Sequence, residues 1–199
     1  MGIEVTSIRD DILKAALEDV VFDGWSWEVL CSAGEKAGFS KNEVRAVFPG
    51  GMIEVFDHFS DWADREMLAA LSDIDPEDLK IRERIRSAVV ARFEALQAYK
   101  DAVRSSASKL LRPSYKMRVA KMGWRSASVI WDWAGDVSED YNYYTKRAIL
   151  SGILASASLV WFNDADEDMH KTKAFLDKRI ENVMQFEKFK RSVKEKIFK

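Results

Sequence analysis

Few residues in this chain combine the type and the spacing that covalent chemistry needs. Glu167-Asp168-Met169-His170 has the Glu-x-x-His spacing with which helical bundles hold a pair of iron ions. Such a centre needs that motif twice, with further glutamates on facing helices, and His58 follows Glu54 by four residues instead of three. Both histidines therefore read as polar surface or cap residues. Asp164, Asp166, Glu167 and Asp168 offer oxygen ligands for Ca²⁺, but without the glycine and spacing of an EF-hand loop. They suit better the start of a helix, where the macrodipole favours anions. There is no nucleophile elbow and no phosphate-cradling glycine loop, and Cys31 stands alone. The sequence thus assigns no catalytic residue, no metal and no cofactor, and the chain reads as a non-enzyme.

What remains is non-covalent chemistry carried by aromatic and basic residues. Seven tryptophans and seven methionines suit a large aromatic core, an apolar cavity, or both. Trp124, Trp131 and Trp133 fall on one helical stretch. The next stretch, from Ala148 to Ser158, mixes small residues with Ile149, Leu150, Ile153 and Leu154. Small residues beside large ones let helices approach closely, in a core or a dimer, or leave room for an apolar ligand. On the ligand reading the walls are Phe56, Phe59, Trp62, Trp124, Trp131, Leu150 and Leu154. In the tail, Val183, Phe186, Phe189, Val193 and Ile197 recur every three or four residues. Lys188, Lys190, Arg191, Lys194, Lys196 and Lys199 face only Glu187 and Glu195 over the same stretch. A basic amphipathic helix suits an anionic membrane surface, and the same stripe also suits docking on the protein's own core.

The elements that position these residues are all helical. At 199 residues, 47% apolar and 32% charged, the chain supports one substantial core and reads as globular. A first helix spans roughly Ser7 to Val20, with Ile8, Ile12, Ala15, Ala16 and Val20 in a stripe. A second runs from Ser26 to Ala37 and stops at Gly38. Ser40-Lys41-Asn42-Glu43 is a capping box opening a short third helix that Pro49 ends. A fourth covers about Met52 to Leu71, and Asp75-Pro76 predicts a fifth from there to Tyr99. A sixth lies near Asp101 to Leu111, and Ser114 caps a seventh reaching Trp133. Ser138 or Asp140 opens the eighth, to Phe162, and the acidic loop leads into a ninth and its tail. The expected organisation is a helix-turn-helix lobe over 1–50, a helical bundle over 51–185 and a basic tail over 186–199. The lone cysteine favours a reducing compartment, and neither a secretory signal nor a membrane span is legible.

A helix-turn-helix lobe raises the question of DNA. From Met1 to Gly50 five cations (Arg9, Lys14, Lys36, Lys41, Arg45) face nine anions, a net charge of −4. Affinity for DNA comes from neutralising phosphates, so this head is poorly charged for it, and no specific nucleic acid is expected as a partner.

Several segments together resemble one family. They are Phe22-Asp23-Gly24-Trp25-Ser26, Val47-Phe48-Pro49-Gly50-Gly51, Phe59-Ser60-Asp61-Trp62-Ala63-Asp64-Arg65, Leu79 to Ile85, Asn142 to Ala148, and Ala174 to Ile180. They are similar to the accessory proteins of ubiquinone (coenzyme Q) biosynthesis, a TetR-like family. The resemblance implies an all-α, TetR-like bundle that has exchanged DNA binding for lipid binding. It implies a non-catalytic homodimer that holds an isoprenoid quinone precursor and presents it to a di-iron demethoxyubiquinone hydroxylase. It places the hydroxylase patch at Asp140, Asn142, Tyr143, Tyr144 and Arg147. The membrane-binding residues are expected to be Phe186, Lys188, Phe189, Lys190, Arg191, Val193, Lys194 and Ile197. The expected location is cytoplasmic, peripheral to the inner membrane. The alternative is a TetR-type transcriptional regulator sensing a hydrophobic ligand.

Overall fold

The computed structural model describes the backbone of residues 2–197 and the side chains of residues 4–183 and Gln185. Among the described residues there are nine α-helices, joined by turns and three short 3-10 segments. The lobe consists of α1 (Gly2–Asp23), α2 (Trp27–Lys36) and α3 (Lys41–Val47). Gly24 ends α1 with φ 71°, and Ser26 caps α2 by accepting the Val29 N–H at 3.2 Å. Ser40 and Glu43 form the expected capping box. Gly34 on α2 lies so close to α3 that a Cβ there would stand 2.3 Å from Val44 Cγ2, so only glycine allows this approach.

The bundle follows with α4 (Met52–Ala70), α5 (Ile81–Leu96), α6 (Lys100–Leu110), α7 (Lys116–Trp133), α8 (Tyr141–Phe162) and α9 (His170–Ile197). Helix α7 packs on both α4 and α8, and α9 packs on α8 and α5. The lobe is fixed to the bundle by Trp25, which donates from Nε1 to the Ala102 carbonyl at 2.9 Å. Its ring lies edge-on to Phe56 at 5.3 Å. Beside it Arg65 grips Asp10 with two bonds of 2.6 and 2.7 Å. Within the bundle, buried Asp64 on α4 accepts from Arg92 Nε on α5 at 2.7 Å and from Ser126 Oγ on α7 at 2.9 Å.

Three helix starts differ from the sequence reading; α1 begins at Gly2, well before Ser7. Asp75 caps only a 3-10 turn, Pro76–Asp78, and α5 opens at Ile81. Leu79 and Lys80 stay extended because the Glu83 carboxylate accepts the Lys80 N–H at 3.0 Å and Arg84 Nε donates to the Leu79 carbonyl at 2.9 Å. Pro113–Tyr115 is likewise a 3-10 turn with no side-chain cap, so Ser114 does not open α7. The tail continues α9 without a break as far as Ile197. The side chains of Phe186, Lys188, Phe189, Lys190, Arg191, Val193, Lys194 and Ile197 lie outside the described residues.

Candidate functional site

The turn between α7 and α8 is held by an ionic knot. Asp136 accepts from Lys146 Nζ at 2.6 Å, from Ser138 Oγ at 2.8 Å and from Arg147 Nη1 at 3.0 Å. Burial alone would raise the Asp136 carboxyl; the bonds from Lys146, Ser138 and Arg147 outweigh it and hold the carboxyl down at about 2. Arg147 also reaches Asp132 at 2.8 Å and Ser128 at 3.2 Å. Its guanidinium lies 3.5 Å from the centre of the Tyr143 ring. Asp140 caps α8 by accepting the Asn142 N–H at 2.8 Å.

This knot carries an aromatic surface. Tyr143 and Tyr144 meet edge-on at 5.2 Å, and Trp124 from α7 lies 6.4 Å and 6.1 Å from them. Tyr141, Tyr144 and Val137 are exposed by 73%, 61% and 91%. Of the patch residues named from the sequence, Tyr143 and Tyr144 form this surface, while Asn142 lies on another side of α8 and Asp140 caps the helix. Arg147 is buried, satisfied by two carboxylates, and supports the surface from below. Trp124, expected in a ligand cavity, belongs to the aromatic face instead: two turns before Trp131 on the same side of α7, it meets Tyr143 and Tyr144. Val137 and Asp136 had no sequence signal beyond standing after a helix-ending glycine.

Two apolar cavities flank α8. The first, about 300 Å³, lies among α5, α7, α8 and α9, with Ile85, Trp131, Ile149, Leu150, Ile153 and Val183 as walls. Asn142, Thr145, Lys146 and Arg82 make its polar edge, at the first turns of α8 and the start of α5. Lys146 Nζ sits 5.2 Å over the Trp131 ring, whose buried Nε1 has no hydrogen-bond partner among the described residues. The second, about 310 Å³, lies among α4, α5, α6, α7 and α8 and includes Phe56, Phe59, Leu96, Met122 and Leu159. Arg92 and Ser60 give it a polar floor. The predicted wall residues are thus divided: Trp131 and Leu150 line one cavity, Phe56 and Phe59 the other. Trp62 and Leu154 line neither. Trp62 is packed edge-on against Tyr99 at 5.6 Å, and Leu154 is in the core.

The residues with metal-ligand spacing serve the fold. Asp164 is buried and accepts the Thr172 N–H and Oγ1–H at 2.9 and 2.8 Å, fixing the start of α9. Asp166 pairs with the exposed His170, where the Glu-x-x-His spacing had pointed to Glu167. Asp166, Asp168 and His170 offer ligand atoms within 4.8 Å of one another, all near the surface. His58 is buried, correcting the expectation of a surface histidine; it bonds Asp10 at 2.8 Å. Burial holds its imidazole below the ordinary range more strongly than Asp10 raises it.

Comparison with known proteins bears on this arrangement. Residues 117–187, which hold the ionic knot, the aromatic face and much of the first cavity, match the COQ9 family model. The chain is 30% identical over 184 residues to the mitochondrial ubiquinone biosynthesis protein COQ9 of Rattus norvegicus, covering 89% of this chain and 59% of that protein. The Homo sapiens counterpart is 27% identical over 89% of this chain and 58% of its own length. The chain therefore spans less than two thirds of these relatives. A crystal structure of a TetR transcriptional regulator from Nitrosomonas europaea superimposes with a TM-score of 0.70 at 22% identity, covering 90% of this chain and 99% of that one. The fold is TetR-like and all-α. No helix among the described residues is long and apolar enough to cross a membrane.

Proposed function

Since this chain is a TetR-like relative of the COQ9 proteins over most of its length, we propose that it is a non-catalytic accessory protein of ubiquinone biosynthesis. It binds an isoprenoid quinone precursor and presents it to a membrane-associated hydroxylase. The observation that carries this reading is that the first turns of α8 line an apolar cavity on one side and carry an aromatic cluster on another. Asn142, Thr145 and Lys146 line the cavity, while Tyr143 and Tyr144 of the same turns meet Trp124, so a ligand in the cavity lies across α8 from whatever covers those rings. A volume of about 300 Å³ is at the small end of ligand sites. It suits a ring or a short prenyl segment, with the rest of the chain outside the protein.

The hydroxylase is the partner proposed for the aromatic face, in a homodimer peripheral to the membrane. Native mass spectrometry of the purified protein, followed by solvent extraction, tests the lipid reading: a co-purified isoprenoid or quinone precursor is expected. Normal ubiquinone content in a deletion strain grown by respiration would refute the role.

Regulation of transcription is the second reading, and the lobe supports it less. Lys36 is engaged by Asp19 at 2.7 Å, and Arg9 by Glu54 at 2.6 Å. Lys41 leans to Glu35 at 3.9 Å. These contacts withdraw three of the five cations from phosphate binding. Salt-sensitive, sequence-specific retardation of a DNA duplex would reverse the ranking.

A further inference from the structure

The hairpin joining α6 to α7 carries cations without anions. Between Asp101 and Asp132 there are seven lysines and arginines and not one carboxylate, in a protein whose net charge is −2. Three of the seven are occupied: Arg104 faces Asp101, and Arg118 and Arg125 reach Asp57 on α4. Arg112, Lys116 and Lys121 are exposed, and with Lys109 they have no ion-pair partner among the described residues. Set among these cations, Leu111 is 81% exposed, Met117 70% and Val119 38%. Leu110, Leu111 and Val119 also form part of the wall of the second cavity, so the hairpin is its rim.

We propose that this hairpin, from Lys109 to Lys121, is a membrane-docking surface whose partner is the anionic headgroup face of a bilayer. Cations bring such a surface to anionic lipid, and long apolar side chains between them gain by entering the acyl boundary. Nucleic acid would satisfy the cations equally but leave Leu111 and Met117 in water, which favours lipid. The contact is separate from the C-terminal tail and uses side chains of the folded body. Docking in this way sets the rim of the second cavity at the edge of the hydrocarbon, so an apolar chain can pass between the two without crossing water. That consequence rests on the lipid-carrier reading; the docking itself does not.

The test uses the full chain carrying Met117→Cys labelled with an environment-sensitive dye, with Leu111→Cys as an independent second position. Cys31 is buried, which leaves position 117 as the reactive thiol. Vesicles of phosphatidylcholine and phosphatidylglycerol at three to one should shift the dye to shorter wavelength, and 0.5 M salt should reverse the shift. Taking about fivefold per lysine, Lys116→Glu with Lys121→Glu should raise the lipid concentration for half response at least about 25-fold. A silent dye overturns the proposal: if the protein co-sediments, another segment holds the membrane, and if it does not, nothing does. An equal response to pure phosphatidylcholine also overturns it, because the cations would then contribute nothing. So does a response to duplex DNA in place of vesicles. Whether lipid co-purifies with the protein is a separate result, so the carrier reading and the docking surface can fail independently.

Discussion

Replacing Asp136 by asparagine tests whether the ionic knot holds the α7–α8 turn. The wild-type carboxyl is held at about 2 against an ordinary value of 3.8. That depression corresponds to roughly 2 kcal/mol of folding stability at pH 7. Asparagine keeps the shape but leaves the buried Arg147 with one carboxylate, Asp132, which is largely exposed. Loss of a partner from a buried pair costs about 3 to 5 kcal/mol, and the surviving Asp132 bond brings the expectation to about 2 to 3 kcal/mol. For a chain of this size that is a fall in Tm of roughly 5 to 10 °C. Urea titrations followed by circular dichroism, at pH 7 and in steps down to pH 3, measure it. The folded-state value lies below the unfolded one, so the Asp136 contribution is complete above about pH 4 and fades as pH falls toward 2. The difference between wild type and variant must therefore narrow below about pH 4. A gap under about 0.5 kcal/mol at pH 7, or one that does not change with acid, would refute the reasoning.

Three further outcomes are expected. Tyr144→Asp, at an exposed ring of the aromatic face, should leave the melting curve within about 1 °C and weaken hydroxylase binding at least about 30-fold, as for a hot-spot residue; unchanged binding in a pull-down titration would remove this face from the interface. Ile149→Trp adds volume to the wall of the first cavity and should cut the lipid recovered per protein several-fold while circular dichroism stays helical; full lipid occupancy would move the ligand elsewhere. His58 has a folded-state value below its unfolded one, so its contribution is present above about pH 6.5 and is lost as pH falls from there. His58→Gln, which keeps a donor for Asp10, should flatten the stability profile between pH 7 and pH 5, and an unaltered slope in denaturant titrations would assign that slope to other groups.

Helical periodicity, the Ser40 capping box, Gly38 and Pro49 made the helix-turn-helix lobe legible in sequence, because these are local signals with one backbone solution each. Segment resemblance pointed to the family, and to the stretch of α8 on which the aromatic face stands. Sequence could not say what a helix face meets at each level along its length. Trp124 and Trp131 are seven residues apart and look equivalent as wall residues, yet one stacks on Tyr143 and Tyr144 and the other lines a cavity. Arg147 sits among exposed patch residues in the chain but is turned inward, because Asp132 and Asp136 come from the preceding helix and turn to meet it. The rim formed by Leu111 and Val119 likewise depends on α4 and α8 passing beneath it. Local backbone preference is written in a few adjacent residues. Cavities and surfaces arise where distant helices meet, and only the packed structure fixes that meeting.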